Sequence, residues 1–284
     1  MIGHEFLNNC FFNSKKVVLF IIITGAFPIL LLSCNEGQSE SDIQIVAHRG
    51  AMSERPENTM SAFQRAVELG ADIVEIDLRT SKDGRLFILH DETLDRTTNE
   101  TGPSADFTME ELRELDAGSW FNPEYSDERI PTFEEVLSWA RDNEVILLLD
   151  LKESGIDYTE NVVTEIQNFG NAEKIIIGVR SPEQARQFRQ LLPAARQLSF
   201  MGSPDDIEIY AGVNVDIIRL WLHWLEEDPL LADQVRESGV KLMINGTAGE
   251  LDEAEKILNF SPDWILIDNI VQLQKSMVII QNQL

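Results

Sequence analysis

Residues 45–91 read IVAHRGAMSERPENTMSAFQRAVELGADIVEIDLRTSKDGRLFILHD, and the fold class and the candidate chemistry both follow from this stretch. A short β-rich run leads into His48. A second run carries Glu75 and Asp77 two positions apart, and the stretch closes on His90. Imidazole and carboxylate groups, the usual side chains of acid/base and metal chemistry, thus lie on or directly after successive predicted strands.

Beyond this stretch, short β-rich runs alternate with helical patterns, which is typical of βα units around a parallel sheet. Candidate strands lie at residues 43–47, 72–77, 86–89, 145–150, 175–179, 197–200, 216–220, 241–244 and 264–267. An eight-stranded barrel needs one fewer. Because Asp83-Gly84 is a two-residue hairpin signal, we assign the run at 86–89 to an antiparallel hairpin on the second strand. The sequence therefore predicts an α/β fold, a TIM (β/α)8 barrel with a hairpin extension of strand two, over residues 42–284.

The hairpin predicts which side chains meet. A two-residue turn pairs Lys82 with Arg85 and, further along, Asp77 with His90. Directly opposed residues share a face of the sheet, and Glu75 shares the face of Asp77 by the period of two. We therefore expect Glu75, Asp77 and His90 to converge on one patch.

The helical patterns support the barrel. The first helix has Asn58 or Thr59 as its predicted N-cap and Gly70 as its C-terminal stop. Further helices are predicted at 109–115, 133–141, 158–169, 182–191, 230–238 and 250–258. The first of these lies in a segment, about 92–131, that otherwise breaks the alternation. A long insertion after a barrel strand usually borders the active-site mouth.

Residues 1–41 are predicted to lie outside the fold. Lys15 and Lys16 precede an apolar run at residues 17–32. This run is short for a bilayer-spanning helix and has the length of a signal-peptide core.

A lipid anchor is the interpretation that we favour for this leader. Residues 31–34, Leu-Leu-Ser-Cys, resemble the lipobox of bacterial lipoproteins, in which the cysteine is lipidated and becomes the new N-terminus. We therefore predict a lipoprotein signal peptide at 1–33, a lipidated Cys34 and a polar tether over 34–41. The domain would then be held at the bacterial cell envelope, on the periplasmic or outer-membrane side. An uncleaved anchor and an ordinary secretory signal are the alternatives.

Charge and cysteine content restrict the chemistry. The formal net charge of −26 argues against a nucleic-acid partner, because phosphate backbones are bound by basic surfaces. An anionic substrate would need local attraction, which a bound cation would supply. Both cysteines, Cys10 and Cys34, precede the predicted domain, which leaves it without disulfides, thiol nucleophiles or cysteine-based zinc sites.

Seven polar residues are predicted to meet at the barrel mouth, where the strands end. They are His48, Arg49, Glu75, Asp77, His90, Asp150 and Lys152. Three converging carboxylates would raise one another's pKa, whereas a hard cation such as Ca²⁺ or Mg²⁺ would neutralise them. The two histidines would serve as acid and base, and the arginine and lysine would hold an anion, most naturally a phosphate.

Each of these residues also has a simpler explanation. A histidine at a strand end is often a satisfied polar residue, and Arg49 would suit the cap of a helix C-terminus. Glu75 and Asp77 alone would suit a solvated strand face, and Asp150 and Lys152 alone a salt-bridged strand end. Their shared position at predicted C-terminal strand ends favours a site. Trp221 and Trp224, which flank His223, are interpreted as packing residues in preference to a substrate-side wall.

Four short motifs occur in a fixed order: His48-Arg49-Gly50, Pro56-Glu57-Asn58-Thr59, Glu75-Ile76-Asp77 and His90-Asp91. In order and spacing they resemble the glycerophosphodiester phosphodiesterase family, a phosphodiesterase branch of the TIM-barrel fold. The resemblance covers roughly residues 42–284 and is strongest before residue 91 and again at 149–152.

The resemblance implies a role for each site residue. His48 and His90 would be the catalytic acid/base pair. One divalent cation, Ca²⁺ or Mg²⁺, would be bound by Glu75, Asp77 and Asp150. Substrate would be bound by Arg49, which contacts the phosphate, and by Lys152, which matches a lysine of the family.

The chain departs from the family pattern at three places. Asp150 stands where the family usually has a glutamate. Residues 242–245, Leu-Met-Ile-Asn, replace a Trp-Thr-Val-Asn motif, and Ile267-Asp268 replaces a Thr-Asp pair. The last two changes fall on the far wall of the predicted pocket and bear on the substrate headgroup.

The predicted activity is metal-dependent hydrolysis of glycerophosphodiesters to glycerol 3-phosphate and an alcohol. Water and the neighbouring glycerol hydroxyl both remain open as the attacking group. The alternatives are a phospholipase-type phosphodiesterase acting on intact lipids and a non-catalytic barrel that binds metal or phospholipid. Loss of a histidine or a metal-binding carboxylate would mark the non-catalytic barrel, and this sequence retains them all.

Overall fold

Within the described residues, 43–283, nine strands form a single sheet that closes on itself. The strands of this computed structural model are β1 (Gln44–Ala47), β2 (Ile73–Thr80), β3 (Leu86–Ile88), β4 (Ile146–Leu151), β5 (Ile175–Val179), β6 (Arg196–Ser199), β7 (Ile217–Trp221), β8 (Lys241–Asn245) and β9 (Trp264–Ile267). Neighbours run parallel in the order β1-β9-β8-β7-β6-β5-β4-β2, and β1 also pairs with β2, which closes the barrel. The predicted TIM barrel and all nine predicted strands are confirmed.

The hairpin is confirmed, but its predicted register is wrong by one residue. β3 pairs antiparallel with β2, and Leu78 lies opposite Ile88. The loop has three residues, because the backbone N–H of Ser81 donates to the carbonyl oxygen of Arg85 at 2.9 Å. Gly84, with φ of 78°, provides the left-handed residue of such a loop.

The corrected register changes how His90 reaches the site. The backbone N–H of Leu89 donates to the carbonyl oxygen of Asp77 at 3.0 Å, so Leu89 takes the place predicted for His90. His90 lies beyond the end of β3 and is free of the ladder. It reaches the barrel mouth from a bend that follows the strand.

Helices alternate with the parallel strands around the barrel. Within the described residues they are α1 (Met60–Glu68), α2 (Met109–Arg113), α3 (Phe133–Asp142), α4 (Ile156–Phe169), α5 (Pro182–Leu191), α6 (Ile207–Gly212), α7 (Leu222–Glu227), α8 (Leu231–Glu237), α9 (Leu251–Asn259) and α10 (Ile270–Gln281). All predicted helices are present, with ends shifted by a few residues, and α6, α7 and α10 were not predicted. Thr59 is the N-cap of α1, since its side chain accepts from the backbone N–H of Ala62.

The barrel interior is filled by an apolar layer beneath the mouth. Its members are Val46, Ile73, Leu148, Ile176, Leu198, Ile217, Met243, Trp264 and Leu266. Side chains that share a strand face recur every second residue. Glu75 and Asp77 therefore follow Ile73 into the barrel at the C-terminal end of β2, and Asp150 follows Leu148 on β4.

The segment at 92–131 shares a small apolar core with the β3 hairpin, built from Phe87, Leu89, Leu94, Met109, Leu112, Ala117 and Ile130. The leader, with the predicted signal peptide at 1–33, Cys34 and the tether, lies outside the described residues. Within residues 43–283 we find no helix with the length and apolar character that crossing a membrane requires.

Candidate active site

Three carboxylates meet at the C-terminal end of β2 and β4. Asp77 and Asp150 are direct neighbours in the parallel ladder. One oxygen of each, together with one of Glu75, lies within 4.8 Å of the others. All three residues are buried, and Asp77 is 0% exposed. The predicted carboxylate cluster therefore forms.

Burial and mutual repulsion perturb this cluster. Burial, with the adjacent charge of Asp77, raises the pKa of Glu75 to about 8. Burial acts in the same direction on Asp150, but Lys152 and Arg180 outweigh it and lower the pKa of that carboxyl. Lys152 Nζ lies 2.8 Å from Asp77 Oδ1 and also bonds to Asp150 Oδ2, while Arg180 donates to Asp150 Oδ1.

The cluster fits a divalent cation. Its donors are carboxylate oxygens only, which is the ligand type that Ca²⁺ and Mg²⁺ prefer. Burial and the charge of Asp77 raise the pKa of Glu75 although Lys152 lies nearby, so the cluster disfavours a further negative charge at Glu75. A cation held by Glu75, Asp77 and Asp150 would offset it.

His48 is fixed at the end of β1 by contacts to the last strand. Its backbone N–H donates to the carbonyl oxygen of Ile267 at 3.1 Å, and its Nδ1 lies 2.6 Å from Asp268 Oδ1. Burial disfavours the imidazolium, but the bond to Asp268 and the charge of Glu75 outweigh it and raise the pKa of His48.

His90 is fixed in a similar way by its sequence neighbour. Its Nδ1 lies 2.6 Å from Asp91 Oδ1, and its carbonyl oxygen accepts two hydrogen bonds from Arg79, at 2.7 and 3.1 Å. Burial lowers the pKa of His90 despite the nearby charge of Asp77. Each histidine thus has one ring nitrogen held by a carboxylate.

Glu57 joins the two halves of the site. It accepts from Arg49 Nη1 at 2.9 Å and from both terminal nitrogens of Arg96, at 2.6 and 2.7 Å. Arg96 also donates from Nε to Asp91 at 2.6 Å. Arg49 donates its backbone N–H to Glu75 Oε2 at 2.7 Å. Arg96, which the sequence analysis did not single out, therefore links the segment at 92–131 to the acidic partner of His90.

A cavity of about 280 Å³ opens above these groups. It is lined by six of the seven predicted site residues, since Asp77 lies beneath its floor. The other side is lined by residues from β5 to β9 and their loops: Arg180, Phe200, Arg219, Trp221, Asn245, Gly246, Thr247, Leu266 and Asp268. Trp221 is thus a wall residue, whereas Trp224 packs against the apolar core.

Comparison with known proteins identifies the family. Residues 48–272 match the model of the Glycerophosphoryl diester phosphodiesterase family. The chain belongs to this family. A glycerophosphodiester phosphodiesterase from Caldanaerobacter subterraneus is 32% identical over 79% of this chain and 93% of its own length. The predicted family and enzyme class are confirmed.

Solved structures agree. A glycerophosphodiester phosphodiesterase from Agrobacterium tumefaciens has a TM-score of 0.71 and 28% identity, over 82% of this chain and 99% of that one. A phosphodiesterase from Oleispira antarctica, in complex with the product sn-glycerol-3-phosphate, has a TM-score of 0.74 and 25% identity, over 83% of this chain and 96% of that one.

Several lining residues were missed by the sequence analysis. Arg180 follows β5, Phe200 follows β6 and Arg219 lies on β7. Their position at or near the ends of predicted strands was the available signal, because every parallel strand of a barrel points its C-terminal end at the mouth. Asp268, which follows β9 and holds His48, is a further site residue that the sequence analysis did not assign.

Proposed function

We propose that this member of the glycerophosphoryl diester phosphodiesterase family hydrolyses glycerophosphodiesters to glycerol 3-phosphate and an alcohol, with His48 and His90 as acid and base. The observation that carries this proposal is that both histidines, each bonded at Nδ1 to a carboxylate, line the same cavity as the buried carboxylate cluster. The carboxylate at Nδ1 leaves Nε2 of each ring for proton exchange.

The two histidines are suited to opposite roles. Burial lowers the pKa of His90 and so favours its neutral form, which can accept a proton. The bond to Asp268 and the charge of Glu75 raise the pKa of His48 against burial and so favour its protonated form, which can donate one. His90 would take the proton of the attacking hydroxyl, and His48 would protonate the departing alkoxide. Water and the neighbouring glycerol hydroxyl are both compatible with this arrangement as the attacking group.

The remaining site residues bind the phosphate and the cation or orient the residues that do so. Arg49 and Lys152 line the cavity as cations, and we assign them to the phosphate. Glu75, Asp77 and Asp150 would hold one divalent cation, Ca²⁺ or Mg²⁺, which supplies charge stabilisation at the phosphoryl oxygens. Glu57 and Asn58, from the Pro-Glu-Asn-Thr motif, orient Arg49 and Asp77.

The test is a substrate panel with controlled metal content. The chain is treated with a chelator and assayed on glycerophosphodiesters and on intact diacyl phospholipids, with Ca²⁺ or Mg²⁺ restored. We expect activity on glycerophosphodiesters that the chelator abolishes and one of the cations restores. Activity confined to diacyl lipids would instead support the phospholipase alternative. Cation binding without turnover of either class would support a non-catalytic barrel.

We also propose that Cys34 is lipidated and anchors the domain to the bacterial cell envelope. Support comes from the sequence alone: an apolar run of signal-peptide length ends in Leu-Leu-Ser-Cys. Cys34→Ser is expected to move the protein from the membrane fraction to the soluble fraction of a bacterial host. Retention of Cys34→Ser in the membrane would indicate an uncleaved anchor instead.

A further inference from the structure

Arg219 is a buried arginine on the wall of the cavity that faces the carboxylate cluster. It lies on β7 two positions after Ile217, whose side chain packs inside the barrel, so its own side chain enters the barrel too. Around the closed sheet, β7 is four strands from β2 in either direction. Arg219 and the β2 carboxylates therefore lie on opposite sides of one mouth.

The guanidinium of Arg219 has no partner of opposite charge within residues 43–283. The residue is only 6% exposed, and its Nε and Nη1 are buried without a hydrogen-bond acceptor in this part of the chain. Asp150 influences it, but that carboxylate is already bonded to Lys152 and Arg180. Burial lowers the pKa of Arg219 to about 10, which leaves it charged at neutral pH. A buried charge without a partner is costly, and a ligand would remove that cost.

Two aromatic rings hold the guanidinium in place. Cζ of Arg219 lies 4.3 Å from the ring centroid of Trp221 and 5.2 Å from that of Phe200. Such cation–π contacts favour the charge but accept no N–H bonds. Gly178 makes room for Phe200, because a Cβ there would lie 2.2 Å from Phe200 Cε2. The two rings thus fix the orientation of the Arg219 guanidinium, and its Nε and Nη1 groups remain available to donate hydrogen bonds to a ligand.

An oxyanion is the ligand that matches these donors. The planar fork of an arginine bonds a carboxylate or phosphate through two parallel N–H bonds. Since the chain carries a net charge of −26, attraction of an anion has to come from a local cation. Asn245, the ladder neighbour of Trp221, adds an Oδ1 that is buried without a donor among the described residues. It would accept from a hydroxyl or ammonium group of the same ligand.

We propose that Arg219 binds a negatively charged group on the leaving alcohol and so selects glycerophosphodiesters with anionic headgroups. The inference rests on the proposed function, which assigns the reacting phosphate to Arg49, Lys152 and the histidines on the other side of the mouth. A headgroup that extends from that phosphate meets Phe200, Trp221 and the fork of Arg219. The two late departures from the family motifs fall on β8 and at the end of β9, on this half of the barrel.

The test compares two substrates that differ only in headgroup charge. These are the sn-glycerol 3-phosphate diesters of 3-hydroxypropanoate and of 3-hydroxypropanamide, which are nearly equal in size. With the cation-loaded full chain we expect kcat/KM to be at least tenfold higher for the carboxylate. Arg219→Gln is expected to reduce this preference to threefold or less, mainly through KM. Arg219→Lys is expected to retain part of it, because the charge persists without the fork.

Arg196→Gln is the matched control. Arg196 begins β6 at the opposite end of the barrel, and its Cζ lies 5.3 Å from the ring centroid of Trp264, so it is also an arginine over an aromatic ring. The preference for the carboxylate should survive in this variant. A wild-type preference below threefold would overturn the proposal. So would an equal loss on both substrates in a folded Arg219→Gln variant, which would assign Arg219 to the reacting phosphate.

A binding measurement tests the Arg219 subsite independently of whether the chain hydrolyses glycerophosphodiesters. If the wild-type chain hydrolyses no glycerophosphodiester of the substrate panel, the proposed function fails. In that case, or if only these two diesters are left uncleaved, calorimetric titration with the non-hydrolysable phosphonate analogues of both diesters decides the subsite. Tighter binding of the carboxylate analogue that is lost in Arg219→Gln supports the subsite. Equal affinity for the two analogues overturns it.

Discussion

Asn58 and Asp77 are bonded to each other twice. Asn58 Nδ2 donates to Asp77 Oδ2 at 2.7 Å, and the backbone N–H of Asp77 donates to Asn58 Oδ1 at 3.3 Å. Asn58 adopts a φ of 57°, a left-handed conformation that asparagine tolerates better than most residues. The pair fixes the orientation of a carboxylate that we assign to the cation.

Asn58→Ala is expected to weaken both the fold and cation binding. It leaves a buried acceptor and a buried donor without partners and places alanine at a positive φ, so the free energy of unfolding should fall by about 1–3 kcal/mol. Loss of the orienting bond should reduce cation affinity about 10- to 100-fold. Urea denaturation and calorimetric titration measure the two effects. Asn161→Ala is the control, because Asn161 lies on α4 and its side chain donates to the carbonyl oxygen of Gly84 and not to a residue of the carboxylate cluster. Wild-type cation affinity in Asn58→Ala would show that the pair does not orient the ligand.

The second prediction concerns the histidines. His48→Ala and His90→Ala should each reduce kcat by about two to four powers of ten, because each removes one partner of the acid/base pair. Steady-state assays on a glycerophosphodiester at saturating cation measure the loss. His223→Ala is the control, since His223 does not line the cavity, and it should keep kcat within about threefold of wild type. Near-normal turnover in either active-site variant would remove that histidine from the mechanism.

Arg96 is expected to act through its partners and not by contact with substrate. Arg96→Met breaks the bonds to Glu57 and Asp91, so it should free the partner of His90 and reduce kcat about 10- to 100-fold with a smaller change in KM. Arg96→Lys should restore only part of the loss, since a lysine cannot span both carboxylates. A loss that appears in KM alone would instead indicate direct substrate binding.

Arg113→Met is the matched control for Arg96. Arg113 lies in the same segment and also bonds to two acceptors, the carbonyl oxygen of Ile130 and Glu135. Among the described residues it makes no hydrogen bond or ion pair with the histidines or their partners. The kcat of the Arg113→Met variant should therefore stay close to that of the wild-type protein.

The barrel was predictable because every strand and most of the helices carry local periodic signals. The hairpin register was not, because Asp83-Gly84 is compatible with loops of two or three residues. The longer loop is stabilised by Ser81, whose Oγ donates to Asp83 Oδ1 at 2.7 Å and whose backbone pairs with Arg85. The Asp83-Gly84 dipeptide alone therefore does not determine whether the loop has two or three residues.

Half of the site was also predictable, because its residues fall in short motifs at strand ends. The other half depends on contacts between distant parts of the chain. Asp268 reaches His48 across 220 positions of sequence, and Arg219 matters because folding leaves its N–H groups without partners among the described residues. Neither property can be read from neighbouring residues. The same long-range packing buries Glu75 and so raises the pKa of its carboxyl group.

Glu75 is expected to make cation binding depend on pH. In the metal-free protein, burial and Asp77 raise its pKa to about 8, well above the value of about 4.3 for an unfolded chain. The folded state therefore holds this proton more tightly, and the stability that it contributes is present at low pH and lost as the pH rises towards 8. A cation must displace the same proton, so its apparent affinity should rise about tenfold per pH unit between 6 and 8.

Calorimetric titration of Ca²⁺ or Mg²⁺ at pH 6, 7 and 8 checks this dependence. Repeating it in two buffers of different ionisation enthalpy counts the protons released, and we expect about one per ion near pH 7. Glu75→Gln keeps the size of the side chain but has no proton to release, so its weaker cation binding should change little over this range. Cation affinity that is constant from pH 6 to 8 in the wild-type chain would mean that Glu75 is already ionised in the metal-free protein. In that case the basic residues Arg49 and Lys152, and not the cation, would be what neutralises the cluster.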